Sequence, residues 1–323
     1  MATKPKPAIL PRDLRDPTGV DSLERRAMRD FNARLKRIAR AYRDALEQIS
    51  AEPVVNRRYL FRLDTHLLRT LLARLDQIVT EILMEGGDQN VWLFDRYVEV
   101  AATRGTAQVY ANLSQQSPAY RGGRMSLENI LRSEPHRRRM ALLSARVAEE
   151  MKGVVGDVKA NMTRVLTEGI GRGLNPREVA KNLTAQAGIE QRRAHRVART
   201  EITTALRRAK WDEADDAERD YGLQTRELHL SALSPTTRRT HAARHGKLFT
   251  REEVQDWWSR DANSINCKCT TVSLMVDDDG QPIVKSTVER AQQAKTNMEK
   301  RGYAWSDKER RTQPEAKDIP GGE

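Results

Sequence analysis

Gly222-Leu223-Gln224-Thr225-Arg226-Glu227-Leu228-His229-Leu230 is where the chain changes period. Upstream, apolar residues recur every three or four positions. Here they alternate, with Leu223, Thr225, Glu227 and His229 on one face and Gln224, Arg226, Leu228 and Leu230 on the other. The switch predicts a strand after a long helical region, and Gly222 is a suitable helix stop before it. The expected fold is therefore mainly α with a small α+β C-terminal domain. A bundle of long N-terminal helices would precede further helices and a short antiparallel sheet.

Working back from Gly222, residues 189–221 read as a highly charged helix. Its basic half holds Arg192, Arg193, Arg196 and Arg199, and its acidic half Asp212, Glu213, Asp215, Asp216, Glu218 and Asp220. Gly188 is expected to close an earlier helix that Asn175 caps, with Pro176 in its first turn. A long helix from Pro135 to Gly169 opens on His136-Arg137-Arg138-Arg139. Cations there oppose the helix dipole, so Arg137, Arg138 and Arg139 are candidate phosphate contacts, with a solvated helix end as the plainer reading. Three apolar stripes fill the N-terminal part: Leu23 to Ile49, Leu60 to Ile82, and Val91 to Val109. Pro53 and Gly86-Gly87 end the first two.

Working forward, Pro235 and Gly246 bracket a turn or short helix. Thr250 caps the next helix, with Glu253 at the capping-box position. A strand over 270–276 leads through Asp279-Gly280 to a second strand near 282–285, and a last helix begins near Ser286. The expected organisation is a flexible basic arm (1–21), a helical bundle (22–116), a linker with Pro118 and Gly122-Gly123 (117–125), a second domain (126–300) and a polar tail (301–323).

Lys and Arg number 57 against 45 Asp and Glu, a net charge of +12, which favours polyanionic partners. No stretch approaches the roughly 20 apolar residues of a membrane span. The basic N-terminus lacks an apolar signal core, and two cysteines spaced Cys-Lys-Cys are no secreted disulfide framework. A cytoplasmic setting is expected.

Chemistry concentrates between Arg199 and Cys269. His241 and His245 are four apart, sharing a face if helical; Cys267 and Cys269 are two apart, sharing a face if extended. Two imidazoles and two thiols are a candidate tetrahedral zinc set, although the spacing is not that of a standard finger. Packed thiols beside surface histidines remain the alternative. His241-Ala242-Ala243-Arg244-His245 lacks the Glu that a zincin protease needs after its first His. Arg199 and Glu201 are expected to ion-pair across to the C-terminal subdomain.

The ordered elements Arg199-Thr200-Glu201, Arg238, His241, Gly246 and Asn266-Cys267-Lys268-Cys269 resemble the C-terminal domain of phage Mu F-like minor head proteins, the head-morphogenesis family. Ser234 and Thr236 depart from the Asp and Arg of that pattern, and His245 stands where an acidic or amide residue is usual. The resemblance covers about 190–275, the motif core of the 126–300 domain. It implies a minor capsid protein, found in the virion head interior and in the host cytoplasm during assembly. Implied partners are the portal, the inner capsid shell, packaged double-stranded DNA bound without sequence preference, and scaffold. No catalytic constellation is evident, so an enzyme is not expected. The rival is a head-carried effector with a metal-dependent hydrolytic site. Arg192, Arg193 and Arg196 join Arg137–Arg139 as candidate DNA contacts.

Overall fold

Leu23, Ala27, Phe31, Leu35, Ile38, Tyr42 and Leu46 recur at helical spacing and are all buried along α1 (Asp21–Glu47). In the computed structural model, which describes residues 5–13 and 15–307, the chain forms two compact units. One comprises Leu23–Glu99 and Arg137–Glu201; the other comprises Met1–Ser22, Val100–His136 and Ile202–Glu323. Residues 126–300 are thus divided between the two. Among the described residues there are ten α-helices and five short strands.

In the first unit, α1 is followed by a hairpin that periodicity does not reveal. Strands β1 (Ala51–Pro53) and β2 (Tyr59–Phe61) pair antiparallel, so the next helix, α2 (Thr65–Leu83), starts five residues after Leu60, where the apolar stripe begins. Asn56 and Arg57 make the reversal with φ of 63° and 59°. Asn tolerates that region better than most residues. Asp64 caps α2 by accepting from the Leu67 amide at 2.7 Å. Phe31 and Trp92 meet edge to face at 4.7 Å, an arrangement that contributes about 1 kcal/mol beyond area burial. The helix expected over the Val91–Val109 stripe runs unbroken from Trp92, with a π-turn at Phe94–Val98 leading into α3 (Glu99–Gln116).

Residues 117–125, expected as a linker, hold helix α4 (Pro118–Gly123), capped by Ser117 and anchored by buried Tyr120. After α5 (Leu127–Arg132) come the two longest helices, α6 (Glu134–Gly171) and α7 (Pro176–Tyr221). Gly188 does not end a helix. One interior glycine costs only about 1 kcal/mol relative to Ala, and buried Ala187 and Glu190 on either side hold α7 continuous.

The second unit carries the sheet, in which β3 (Thr225–Leu230) lies between β4 (Leu248–Phe249) and β5 (Thr270–Met275), both antiparallel to it. Helices α8 (Arg239–Arg244), α9 (Arg251–Ser259) and α10 (Ser286–Glu299) complete the unit. The expected strand at 282–285 is reduced to one bridge, Val276 to Pro282. The sheet's two faces differ sharply. Leu228, Leu230, Val272 and Leu274 form an apolar core with Ala8 and Ala291. Glu227, His229, Ser231, Thr271 and Ser273 form a polar face that is equally buried. Ala8 and the Ile9 amide, which donates to Asn112 Oδ1 at 2.8 Å, show that part of the expected flexible arm is packed against this unit. Of the expected polar tail, Trp305 is buried in a 3-10 turn (Ala304–Ser306), and 308–323 lie outside the described residues.

Candidate functional site

The polar face of the sheet continues into a cluster built from three local devices. Arg238, at the N-terminus of α8, donates to the carbonyls of Ala262 (2.9 Å), Asn263 (3.3 Å) and Ile265 (2.8 Å). It thereby holds a loop in which Asp261, Ala262 and Asn266 all take positive φ. That loop delivers Cys267 and Cys269 to the start of β5. Gly246, at φ +76°, turns the chain after α8 and donates its amide to the His229 carbonyl at 2.9 Å. The helix is then fixed beside β3, with His241 facing the cysteines.

His241 Nδ1 lies 3.3 Å from Cys269 Sγ and 3.4 Å from Cys267 Sγ. The Cys269 amide points at Cys267 Sγ from 3.4 Å. The three ligand atoms lie within 4.8 Å of one another, a group able to hold a metal ion. All three side chains are at most 3% exposed. Burial alone would raise the Cys267 thiol, but hydrogen bonds from Cys269 and His241 and the nearby Arg207 guanidinium bring it well below the usual thiol range. Burial and the neighbouring Cys267 hold Cys269 well above it. The favoured pair is one thiolate and one thiol.

His229 completes the neighbourhood. It stands opposite Thr271 in the β3–β5 register, so its side chain emerges on the same face as Cys269, one diagonal step away. Its ring is fully buried, stacked on Trp258 at 5.0 Å and edge-on to Trp257 at 5.3 Å. Among the described residues, neither ring nitrogen has a hydrogen-bond partner. Burial pushes its pKa well below the usual histidine value. Trp257 also covers His241 at 4.6 Å, and the Arg244 guanidinium lies over Trp257 and Phe249.

Polar partners from α7 and α9 line the rest of this face. Arg207 donates to the Cys269 carbonyl at 3.2 Å, and Lys210 reaches the Thr271 carbonyl and, at 3.2 Å, Thr270 Oγ1. Burial lowers the Lys210 pKa to about 8. Glu227 accepts from Ser273 Oγ at 2.8 Å, with Arg251 3.9 Å away. The acidic half of α7 is engaged too. Arg124 takes Glu213, and Arg251 takes Asp215 and Glu218.

The sequence-predicted residues therefore separate. Arg238, His241, Gly246, Asn266, Cys267 and Cys269 come together. His245 does not join them: the Ser231 amide donates to its Nδ1 at 3.0 Å, and its Nε2 lies 3.2 Å from the Ala291 carbonyl. The expected His-His-Cys-Cys set through His245 is thus not assembled, because both of its ring nitrogens have backbone partners on the other side of α8. His229 was missed as a site residue; its alternation with Glu227 was visible, but the register that aligns it with Cys269 was not.

Arg199-Thr200-Glu201 belongs to the other unit. Arg199 Nε pairs with Glu24 of α1 at 2.7 Å, and Glu201 with Arg146 of α6 at 2.7 Å. Both of these pairs lie within the motif's own unit; the sequence had pointed to the C-terminal subdomain. The six candidate DNA-contact arginines lie in that unit as well. Arg137, Arg138, Arg192, Arg193 and Arg196 are exposed, Arg139 is half-buried, and Arg193 pairs with Asp157. Asp157 marks the level of the α7 cluster on α6, some 20 residues past Arg137, so the two basic groups sit about 25–30 Å apart along α6 at 1.5 Å per residue.

Residues 160–272 match the family model described as phage Mu protein F like protein. No curated protein and no solved structure matches the chain. Among the described residues, no helix is long and apolar enough to cross a membrane.

Proposed function

We propose that this chain is a phage head-morphogenesis protein, a minor component of the capsid interior that associates with the portal or the inner shell. The observation that carries the reading is the ordered motif set lying inside the segment that matches the phage Mu F-like family, with His241, Cys267 and Cys269 meeting in one buried cluster beside the loop that Arg238 holds. That cluster supports a structural role. Its His and Cys side chains are shut away from solvent, whereas hydrolytic metal chemistry needs an open coordination position and a path for substrate. The same closure weighs against the effector reading.

Non-specific contact with packaged DNA forms the second part of the proposal, supported by the net charge of +12 and the exposed Arg192, Arg193 and Arg196. Each phosphate neutralised steepens the salt dependence of binding by about 0.9 in log–log slope. Neutralising these three arginines should flatten that slope by up to about 3. Binding that ignores salt would remove the DNA contact.

Particle fractionation tests the main reading. The protein should co-purify with assembled heads at low, fixed copy number, and disrupting its gene should reduce intact heads. Normal heads formed without it, with the protein found only outside particles, would sink the proposal.

A further inference from the structure

We propose that one zinc ion is bound by His241 Nδ1, Cys267 Sγ, Cys269 Sγ and a ring nitrogen of His229, as a closed structural site. The proposal stands apart from the head-assembly reading and rests on the local geometry alone.

Hydrogen-bonding capacity at His241 is mismatched to its surroundings. His241 Nδ1 faces two sulfurs at nearly equal range, 3.3 and 3.4 Å. A single ring nitrogen offers one lone pair or one N–H, so it can serve one thiol well but not both. A metal ion among the three atoms serves all of them. Zn–S bonds near 2.3 Å and Zn–N bonds near 2.0–2.1 Å in tetrahedral array set N···S separations at roughly 3.6 Å. The observed distances fall just inside that value.

A second, independent mismatch lies at His229. A buried imidazole with neither nitrogen hydrogen-bonded is costly to keep. This one emerges on the sheet face that carries Cys269. His229 stands outside the tight three-residue group and reaches the ion by turning its ring off Trp258. His245, the other nearby histidine, already has backbone partners at both nitrogens.

Ligand chemistry selects the metal. Two thiolates and two imidazoles in tetrahedral array suit zinc rather than magnesium or calcium. The Cys269 amide aimed at Cys267 Sγ favours the thiolate that coordination needs. Trp257 packs against His241 and Trp258 against His229, and the three ligand side chains of the tight group are at most 3% exposed. The ion would then cross-link α8, the loop before β5, and β3.

The test uses the full chain purified with reduced thiols from zinc-supplemented medium without chelators. Elemental analysis should give one zinc per chain. Cobalt substitution should give thiolate-to-cobalt charge transfer with the intense visible bands of a tetrahedral site. The variant His229→Cys should keep the metal and raise the charge-transfer intensity, since a third thiolate joins the first two. His245→Gln should keep the metal with an unchanged spectrum. Folded protein, verified by its helical circular dichroism, that holds no stoichiometric zinc and gives no cobalt spectrum overturns the site. Unchanged charge-transfer intensity in metal-loaded His229→Cys overturns the assignment of the fourth ligand.

Discussion

Glu201 accepts Arg146 Nη2 on both carboxylate oxygens, at 2.7 and 2.8 Å, with the carboxylate almost fully buried. This pair joins α7 to α6 across a helix interface. Breaking a buried ion pair costs about 3–5 kcal/mol, and the partial exposure of Arg146 brings the expectation for Glu201→Gln to about 2 kcal/mol. Urea titration should show a lower midpoint with an unchanged slope. Replacing both residues together with Met and Leu should recover part of the loss. A Glu201→Gln midpoint equal to that of the parent would show that the motif glutamate is not there for stability.

Gly246 should resist substitution. Its φ of +76° is strained for an L-residue, and an added Cβ would sit 2.9 Å from Gln292 Cγ and 3.3 Å from the Gln292 amide nitrogen. The left-handed backbone costs about 1–2 kcal/mol per non-glycine residue. Gly246→Ala should therefore lower the melting temperature measurably, and an unchanged value would mean that the turn relaxes without cost.

His245 predicts an acid limb in the stability profile. Its neutral form, protonated at Nε2, satisfies both the Ser231 amide and the Ala291 carbonyl. Burial, with Lys295 adding to it, brings its pKa down to about 4. The unfolded chain, titrating near 6.5, binds this proton more readily than the folded one. Stability from this group is thus complete above about pH 6.5 and is lost as pH falls towards 4, amounting to about 3 kcal/mol. Thermal melts of His245→Gln should show a shallower decline across that window. A decline as steep as that of the parent chain would assign the acid limb to other groups.

Thr250 and Glu253 form a reciprocal capping box at the start of α9, with the Thr250 amide donating to Glu253 at 2.7 Å and the Glu253 amide to Thr250 Oγ1 at 3.1 Å. Thr250→Ala should cost about 1 kcal/mol. Because α9 carries Trp257 and Trp258, fraying there should shift tryptophan emission to longer wavelength. Unaltered emission and stability would show that packing alone holds the helix.

Features encoded over a few residues were the legible ones. The stripe of α1, the Thr250 cap, the alternation in β3 and the Cys-Lys-Cys pair all rest on local spacing. What escaped depends on distant partners or on energies that context outweighs. Gly188 looked like a stop because its cost is local, while the burial on either side that carries α7 through it is not. The β1–β2 hairpin hid behind Pro53, although Asn56 was a usable turn signal. His229 and His245 are nearly equivalent in sequence. Only the β3–β5 register and the seating of α8 place one on the sheet face that carries Cys269 and turn the other towards the backbone of Ser231 and Ala291.

The unbroken run of α7 has a consequence for how this chain can be divided. The family-matching segment starts inside α6 and stops inside β5, and α7 carries it from one compact unit into the other. A fragment cut at those bounds would leave behind Glu24, Arg146 and Ala8, and with them a share of each core. The segment that matches the family model is therefore not expected to fold on its own. An exchange of this segment between chains is expected to succeed only if the N-terminal helices travel with it, because they supply partners to the motif.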